Sequence, residues 1–597
     1  MSQKDVTRGG GALFSDPGPD GFLHRAFLRG EGVPFEERTR RPVVGICSSW
    51  SELNPCNAGL RELAAAAKRG VAAAGGLALE FPTISLSEPF SRPSSMYLRN
   101  LMSIDVEEMI SSSPIDAVVL LGGCDKTVPA QLMGAISAGK PAVLVTAGPR
   151  PVSCWRGRAT TIDDAWPLIE RRRLGEVSDE EWRDAEENLV IGAGTCNVLG
   201  TATTMAAVAE VLGFASPGSA LPPAADLRRR AIAERAGELA VAAFHEGRQP
   251  AGLVSLASLE NAFRVVCALG GSTNAVVHLE AIAGRAGLHL DAATLREWAA
   301  ATPLLAAVRP SGDHLLSDLE EAGGVPAVVR ELAPLLDLDT PTADGRSWKA
   351  VVDAVPKEAA VRTGTGVLAP LAEPLAASGM AVLTGSLAPD GAVLKVSAAS
   401  ERLLRHRGRA VVFDGIDDVN ARIDDPELPV DADSVLVLRG LGVRGGPGMP
   451  EVGHVPIPAK LARQGVTDMV RVSDARMSGT SSGTVVLHVA PEAAAGGPLG
   501  LVRDGDMITL DVEAGTLDLE VDPAELNARR ASTSPGGTAA RGYDWIYQRH
   551  VLQPSHGCDF DFLRADFIGA DQPAAADASR TVEANAGDGR LRAGPPE

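Results

Sequence analysis

Most function classes are excluded by what this 597-residue chain has little of. Long apolar runs are missing: no segment approaches the ~20 continuous apolar residues of a membrane helix, and the opening MSQKDVTRGGGALFSD lacks the basic-then-apolar layout of a secretory signal. A cytoplasmic protein without a membrane partner is expected. Positive charge is in deficit, with 56 Lys and Arg against 76 Asp and Glu and a formal net charge of −20. General affinity for nucleic acid or an anionic surface is therefore not expected. The short basic runs Arg171 to Arg173 and Arg228 to Arg230 lie in helix-like stretches beside Glu and read as solvated helix faces. Cysteine is scarce: Cys47, Cys56, Cys124, Cys154, Cys196, Cys267 and Cys558 are too few, and odd in number, for a disulfide framework. Cysteine chemistry here should involve thiolates or metals.

What is present, 45% hydrophobic and 22% charged residues, is the composition of an ordinary globular protein of about two to four domains. From residue 42 to about 150, apolar runs (RPVVGI, LALEFPTI, IDAVVLLGG, PAVLVTAG) alternate with helix-period stretches such as Leu60 to Ala73, SSMYLRNLMSIDVEEMI and VPAQLMGAISAG. That alternation predicts βαβ units around a buried parallel sheet. Helical patterns dominate from about 160 to 340. After about residue 378 short β-like runs between Gly, Asp and Pro predict a second, β-rich domain, a barrel or sandwich. The expected division is an α/β domain over 1–377, a barrel-like domain over 378–568 and, because few large apolar residues follow, a disordered tail over 569–597.

In an open parallel sheet, ligands gather beyond the carboxyl ends of the strands. After RPVVGI comes CSSWSELNPCN with Cys47 and Cys56; after LALEFPTI comes SLSEPF with Glu88; after IDAVVLLGG comes Cys124-Asp125-Lys126-Thr127. A further thiol, Cys196, sits in GAGTCNVLGTATTM, where glycines precede a helix start and the backbone can approach a ligand closely. Thiolates suit soft metals and iron–sulfur clusters, whereas carboxylates suit Mg²⁺ or Mn²⁺, so two unlike metal centres side by side would account for both sets. The cysteine spacings match no CxxC zinc ribbon or ferredoxin run. Taken singly, each cysteine reads as an inert buried side chain, and Cys47, Cys154, Cys267 and Cys558 keep that reading. For Asp125 and Lys126 the bland alternative is a surface ion pair at a strand end. In the second half, RGGPGMPE places Glu451 behind a Gly/Pro-rich loop and SDARMSGTSSGT places Ser478 among small and hydroxylic residues. Alone, either is a plain turn; neither is a Walker A loop or a GxSxG elbow.

Taken together and in this order, NPCN, GGCDKTVPAQLMGA, GAGTCN, GGSTNAVVHL, GGPGMPE and DARMSG resemble the dihydroxy-acid and sugar-acid dehydratase family, over about residues 40 to 565. The resemblance implies an N-terminal α/β domain that holds metals, a β-barrel-like C-terminal domain that closes over them, and a homodimer or homotetramer. Cys56, Cys124 and Cys196 would then bind a 2Fe–2S cluster, or 4Fe–4S as in some relatives, with one iron left open. Glu88, Asp125, Lys126 and Glu451 fall on the family's Mg²⁺ site, with Lys126 carbamylated, since an ammonium cannot bind a cation. Ser478 falls on the proposed base, held as an alkoxide by neighbouring positive charge.

The implied reaction converts a 2,3-dihydroxy acid to its 2-keto-3-deoxy acid: Mg²⁺ acidifies the C2 proton, Ser478 removes it, and the open iron takes the 3-hydroxyl. Glu88, where branched-chain enzymes carry Asp, together with MYLRNLMSIDVEEMI and CDFDFL, resembles the pentonate-type enzymes and points to a sugar acid. Cys558 stands where relatives usually have Ala. The alternatives are dihydroxy-acid dehydratase of branched-chain amino-acid synthesis and, from another class, a non-catalytic iron–sulfur sensor.

Overall fold

The four apolar runs of the first 150 residues do form one parallel sheet. A computed structural model of the protein describes residues 10–34, 41–354, 366–530 and 541–566; the expected tail at 569–597 lies outside the described residues. Strands β1 (Val43–Ser48), β2 (Leu77–Pro82), β3 (Ala117–Gly122) and β4 (Ala142–Thr146) lie in the order β2-β1-β3-β4, all parallel. Side chains alternate between faces along a strand, and here both faces are buried. Val44, Ile46, Val119, Leu121, Val143 and Val145 pack on helix α1 (Leu60–Ala73) and on a helix at Arg228–Glu246. Val43, Val118, Leu120 and Leu144 pack on α2 (Arg99–Ser112) and α3 (Thr127–Ala138). Burial on two sides explains why the strands read as unbroken apolar runs.

Helices α4 (Thr201–Val211), α5 (Leu256–Leu269) and α6 (Asn274–Arg285) follow, nearly every residue of α4 and α6 being buried. No helix among the described residues is long and apolar enough to cross a membrane.

The later strands are β5 (Ala381–Leu383), β6 (Gly391–Leu394), β7 (Arg405–Asp414), β8 (Val435–Arg439), β9 (Arg471–Ser473), β10 (Val485–Ala490), β11 (Met507–Asp511) and β12 (Thr516–Leu519). They form one eight-stranded sheet in the order β12-β11-β7-β8-β9-β10-β6-β5. Its two edges meet where Thr384, just after β5, bridges Thr516, with Thr384 N donating to Gly515 O at 3.0 Å and Leu517 N to Thr384 O at 3.0 Å. Closure removes exposed edges, so the barrel alternative is the one adopted. Inward residues such as Leu394, Val412, Val437, Val472 and Leu510 fill it.

Two sequence readings need correction. Arg229, read as part of a solvated face, is buried and donates to the carbonyls of Ser219, Ala220 and Pro222. Its partners are these loop carbonyls and the oxygens of Thr146 at the end of β4, which a basic run does not announce. In the other run, Arg173 reaches across to Ile457 O (2.6 Å) and pairs with Asp424, joining the two halves. Cys154, read as buried, is exposed.

The CDFDFL segment returns to the first half. Arg285 Nε donates to Asp559 Oδ2 at 2.6 Å with both side chains fully buried, and Arg99 donates to Gly557 O and Cys558 O. Asp559→Ala, which leaves the Arg285 guanidinium only the Glu107 carboxylate at 3.3 Å, is expected to cost about 3 kcal/mol, the low end for a broken buried pair. A fall in Tm of several degrees against the unmodified protein checks this.

Candidate active site

The strand ends of the parallel sheet are tied to one another by side-chain amides. Asn57, in the loop after β1, donates to Ser49 O (3.0 Å) and accepts from Cys124 N (3.3 Å) after β3, while Asn54 donates to Leu86 O (2.8 Å) after β2. Gly123 permits this approach, because a Cβ there would lie 2.5 Å from Ala147 Cβ and 3.3 Å from Cys56 O. The Cys196 loop joins the chain after β4: Arg150 N donates to Thr195 O, Thr195 N to Gly148 O, and Gly194 N to Pro55 O. Four strand ends thus carry Cys56, Glu88, Cys124 to Lys126 and Cys196 to one place.

The barrel supplies the rest. Glu451 lies on the loop after β8, and Ser478 on the loop after β9. Gly479 lets that second loop rest on the start of α4, where a Cβ would meet Thr201 N at 2.7 Å and Gly200 Cα at 3.0 Å. Cys56, Glu88, Cys124, Asp125, Cys196, Glu451 and Ser478 all line a single cavity of about 730 Å³. Every sequence-predicted site residue therefore converges there, with Lys126 buried directly behind the three acids.

Two chemically distinct clusters occupy this cavity. Cys56 and Cys124 are buried and hydrogen-bonded thiol to thiol, with Cys196 beside them, and Glu88 N donates to Cys124 Sγ at 3.4 Å. The bond to Cys124, and then burial, push the Cys56 thiol well up; burial, and then the Asp125 charge, push Cys196 up to about 12. Carboxylate oxygens of Glu88, Asp125 and Glu451 come within 4.8 Å of one another. The fully buried Lys126 Nζ sits 3.1 Å from Glu88, 3.5 Å from Asp125 and 3.0 Å from Glu451, so it is no surface pair. Burial by itself raises all three carboxyls, while Lys126 and Arg476 oppose it. Glu88, which also accepts a hydrogen bond from Ser95, ends low at about 2, and its charge helps leave Asp125 and Glu451 above the ordinary range.

Several side chains that sequence reasoning left without a role complete the site. Arg476 Nη1 (2.7 Å) and Asn274 Nδ2 (2.8 Å) both hold Glu451 Oε1, and Arg476 also donates to Ser94 Oγ at 2.9 Å. Both residues stood inside motifs already singled out, DARMSG and GGSTNAV. Trp166, for which the sequence offered no signal, donates from Nε1 to Thr480 Oγ1 at 2.8 Å, and Thr480 Oγ1 lies 2.8 Å from Ser478 Oγ.

Residues 41–351 match the N-terminal region, and residues 366–558 the C-terminal region, of the dihydroxy-acid/6-phosphogluconate dehydratases. The chain is 48% identical over 560 residues to an L-arabonate dehydratase of Azospirillum brasilense, covering 91% of this chain and 94% of that protein. It is 44% identical to a 6-deoxy-6-sulfo-D-gluconate dehydratase of Pseudomonas putida (91% and 94% covered) and 41% identical to a dihydroxy-acid dehydratase of Acidothermus cellulolyticus (86% and 91%). On matches that run through both halves of the molecule, the chain belongs to the dihydroxy-acid/6-phosphogluconate dehydratase family.

Proposed function

We propose that the protein is a hydro-lyase that dehydrates a 2,3-dihydroxy sugar acid, a pentonate first, to the 2-keto-3-deoxy acid. The observation that carries this reading is the single cavity into which three thiols, three carboxylates and Ser478 converge. The division near residue 378 into a metal-holding half and a closing half, and assembly as a homodimer or homotetramer, belong to the same proposal.

The donor sets fit the cofactors the family implies. Three free thiols, Cys56 and Cys124 buried and Cys196 half-buried, would be held as thiolates by an iron–sulfur cluster. Hard oxygens from Glu88, Asp125 and Glu451 suit Mg²⁺, with Lys126 as a carbamate completing the set; as an ammonium, Lys126 instead neutralises those acids. When bound, the two centres would supply Lewis acidity at the carboxylate end of the substrate and at its 3-hydroxyl.

The chain's own residues account for the proton. Ser478 Oγ removes it from C2 and the 3-hydroxyl departs from C3. The resulting enol then tautomerises to the keto acid. Indole N–H can only donate, so Trp166 occupies a lone pair of Thr480 Oγ1 and leaves the Thr480 hydroxyl proton free to point at Ser478 Oγ. Thr480 N, 3.3 Å away, donates to the same oxygen. Donors aimed at Ser478 Oγ favour its ionised form. Thr480→Val, isosteric but without the hydroxyl, should therefore lower kcat about tenfold, the worth of one hydrogen bond to a charged group, with KM little changed. Steady-state kinetics on the best substrate checks it.

A sugar acid is favoured over the branched-chain substrate by the higher identity to sugar-acid dehydratases; in a lining that is otherwise largely apolar, Ser91, Arg92, Ser94 and Thr201 are the groups that distal hydroxyls could meet. Groups that bond distal hydroxyls are left unpaired by an apolar tail. Keto-acid release should be screened with anaerobically purified protein on D-xylonate, L-arabinonate, hexonates and 2,3-dihydroxyisovalerate. The best pentonate should exceed the branched-chain acid in kcat/KM by at least about tenfold. A faster branched-chain acid would replace the substrate while leaving the chemistry in place.

A further inference from the structure

A second cleft, of about 300 Å³, opens between α6, a helix at Ala292–Ala300 and the barrel strands β6 and β10. Its walls are apolar, formed by buried Val276, Leu295, Val382 and Val393. His488 also lines it. This imidazole is only 3% exposed, yet neither Nδ1 nor Nε2 has a hydrogen-bond partner. Its backbone is held at φ +57°, uncommon outside glycine, where the pairing of β10 with β6 shifts register between Leu487 and Ala490. Bulges of this kind re-aim a side chain, and strained backbone of this kind collects at functional sites.

We propose that this cleft is a second small-molecule site, taking an uncharged compound with an apolar body and a hydroxyl or amide head that bonds to His488. The imidazole is neutral, since burial and then the Arg476 charge bring its pKa down to about 3. A neutral ring offers one donor and one acceptor, and a hydroxyl or primary amide, able both to donate and to accept, can bond to whichever nitrogen it meets in either tautomer. Anions are selected against at the mouth, where the exposed Asp291 and Asp390 stand. The mouth is open enough to admit a ligand: the His289 side chain is 44% exposed, and its ring stacks on that of His556 at 5.2 Å. The cleft is distinct from the catalytic cavity, because no residue that lines the one lines the other.

The test uses the full-length protein with hexanamide and 1,2-hexanediol as probes and hexanoate as the charged control, read by calorimetry and by soaked crystals. Saturable binding of the uncharged probes is expected, with the polar head within hydrogen-bond distance of a His488 ring nitrogen. Two variants should each weaken it at least about tenfold: His488→Asn, which tolerates the left-handed backbone, and Ala292→Trp, which blocks the cleft and leaves His488 in place. Absence of saturable binding to the unmodified protein, binding unchanged in both variants, or tighter binding of hexanoate would each overturn the proposal.

Discussion

Ser478→Ala is expected to lower kcat by about 100- to 10,000-fold, the range for loss of a general base, while iron and Mg²⁺ contents stay at their unmodified values. The expectation follows from geometry: Ser478 lines the same cavity as the thiols and the carboxylates but belongs to neither cluster. Removing one oxygen leaves Gly479 on the start of α4 and Thr480 bonded to Trp166, so the loop keeps its place. Because the lost interaction is made in the transition state, kcat and kcat/KM should fall together. Steady-state kinetics with elemental analysis of the same sample decides the matter, and a near-normal kcat would remove Ser478 from the role.

Cys124→Ser carries the second large effect. This thiol is 1% exposed, touches Cys56 and accepts from Glu88 N, and serine is close to its size, so the fold should persist. A hydroxyl is a poor ligand for iron, and anaerobically prepared variant protein should be colourless, low in iron and without measurable turnover. Cys56→Ser and Cys196→Ser should behave alike. Cys154→Ser, on an exposed hairpin strand apart from the cavity, should keep colour and rate. Full iron content in the triple variant would overturn the cluster assignment.

Much of this site was legible because the relevant signals are local. Apolar runs alternating with helix-period stretches place strands at Val43, Leu77, Ala117 and Ala142, and the residues following each such strand must emerge at one sheet edge. Cys56, Glu88, Cys124, Asp125 and Lys126 could therefore be gathered before any contact was known. The basic run at Arg228 to Arg230 misleads for the converse reason. Consecutive helix residues point in different directions, and Arg229 alone turns inward, to loop carbonyls that composition does not reveal.

The sequence by itself determined the two-part architecture and which thiols and carboxylates stand beyond the strand ends, since periodicity, glycine placement and motif order are properties of short segments. Only the tertiary structure decided how the barrel closes, through Thr384 and Thr516, and which distant groups meet: Trp166 with Thr480, Asn274 and Arg476 with Glu451, Arg285 with Asp559. It also decided that His488 lines a cleft with both ring nitrogens buried and unpartnered. These pairings join residues far apart in the chain, and which buried polar atom finds a partner depends on how the two halves dock, a property of packing that no segment encodes alone.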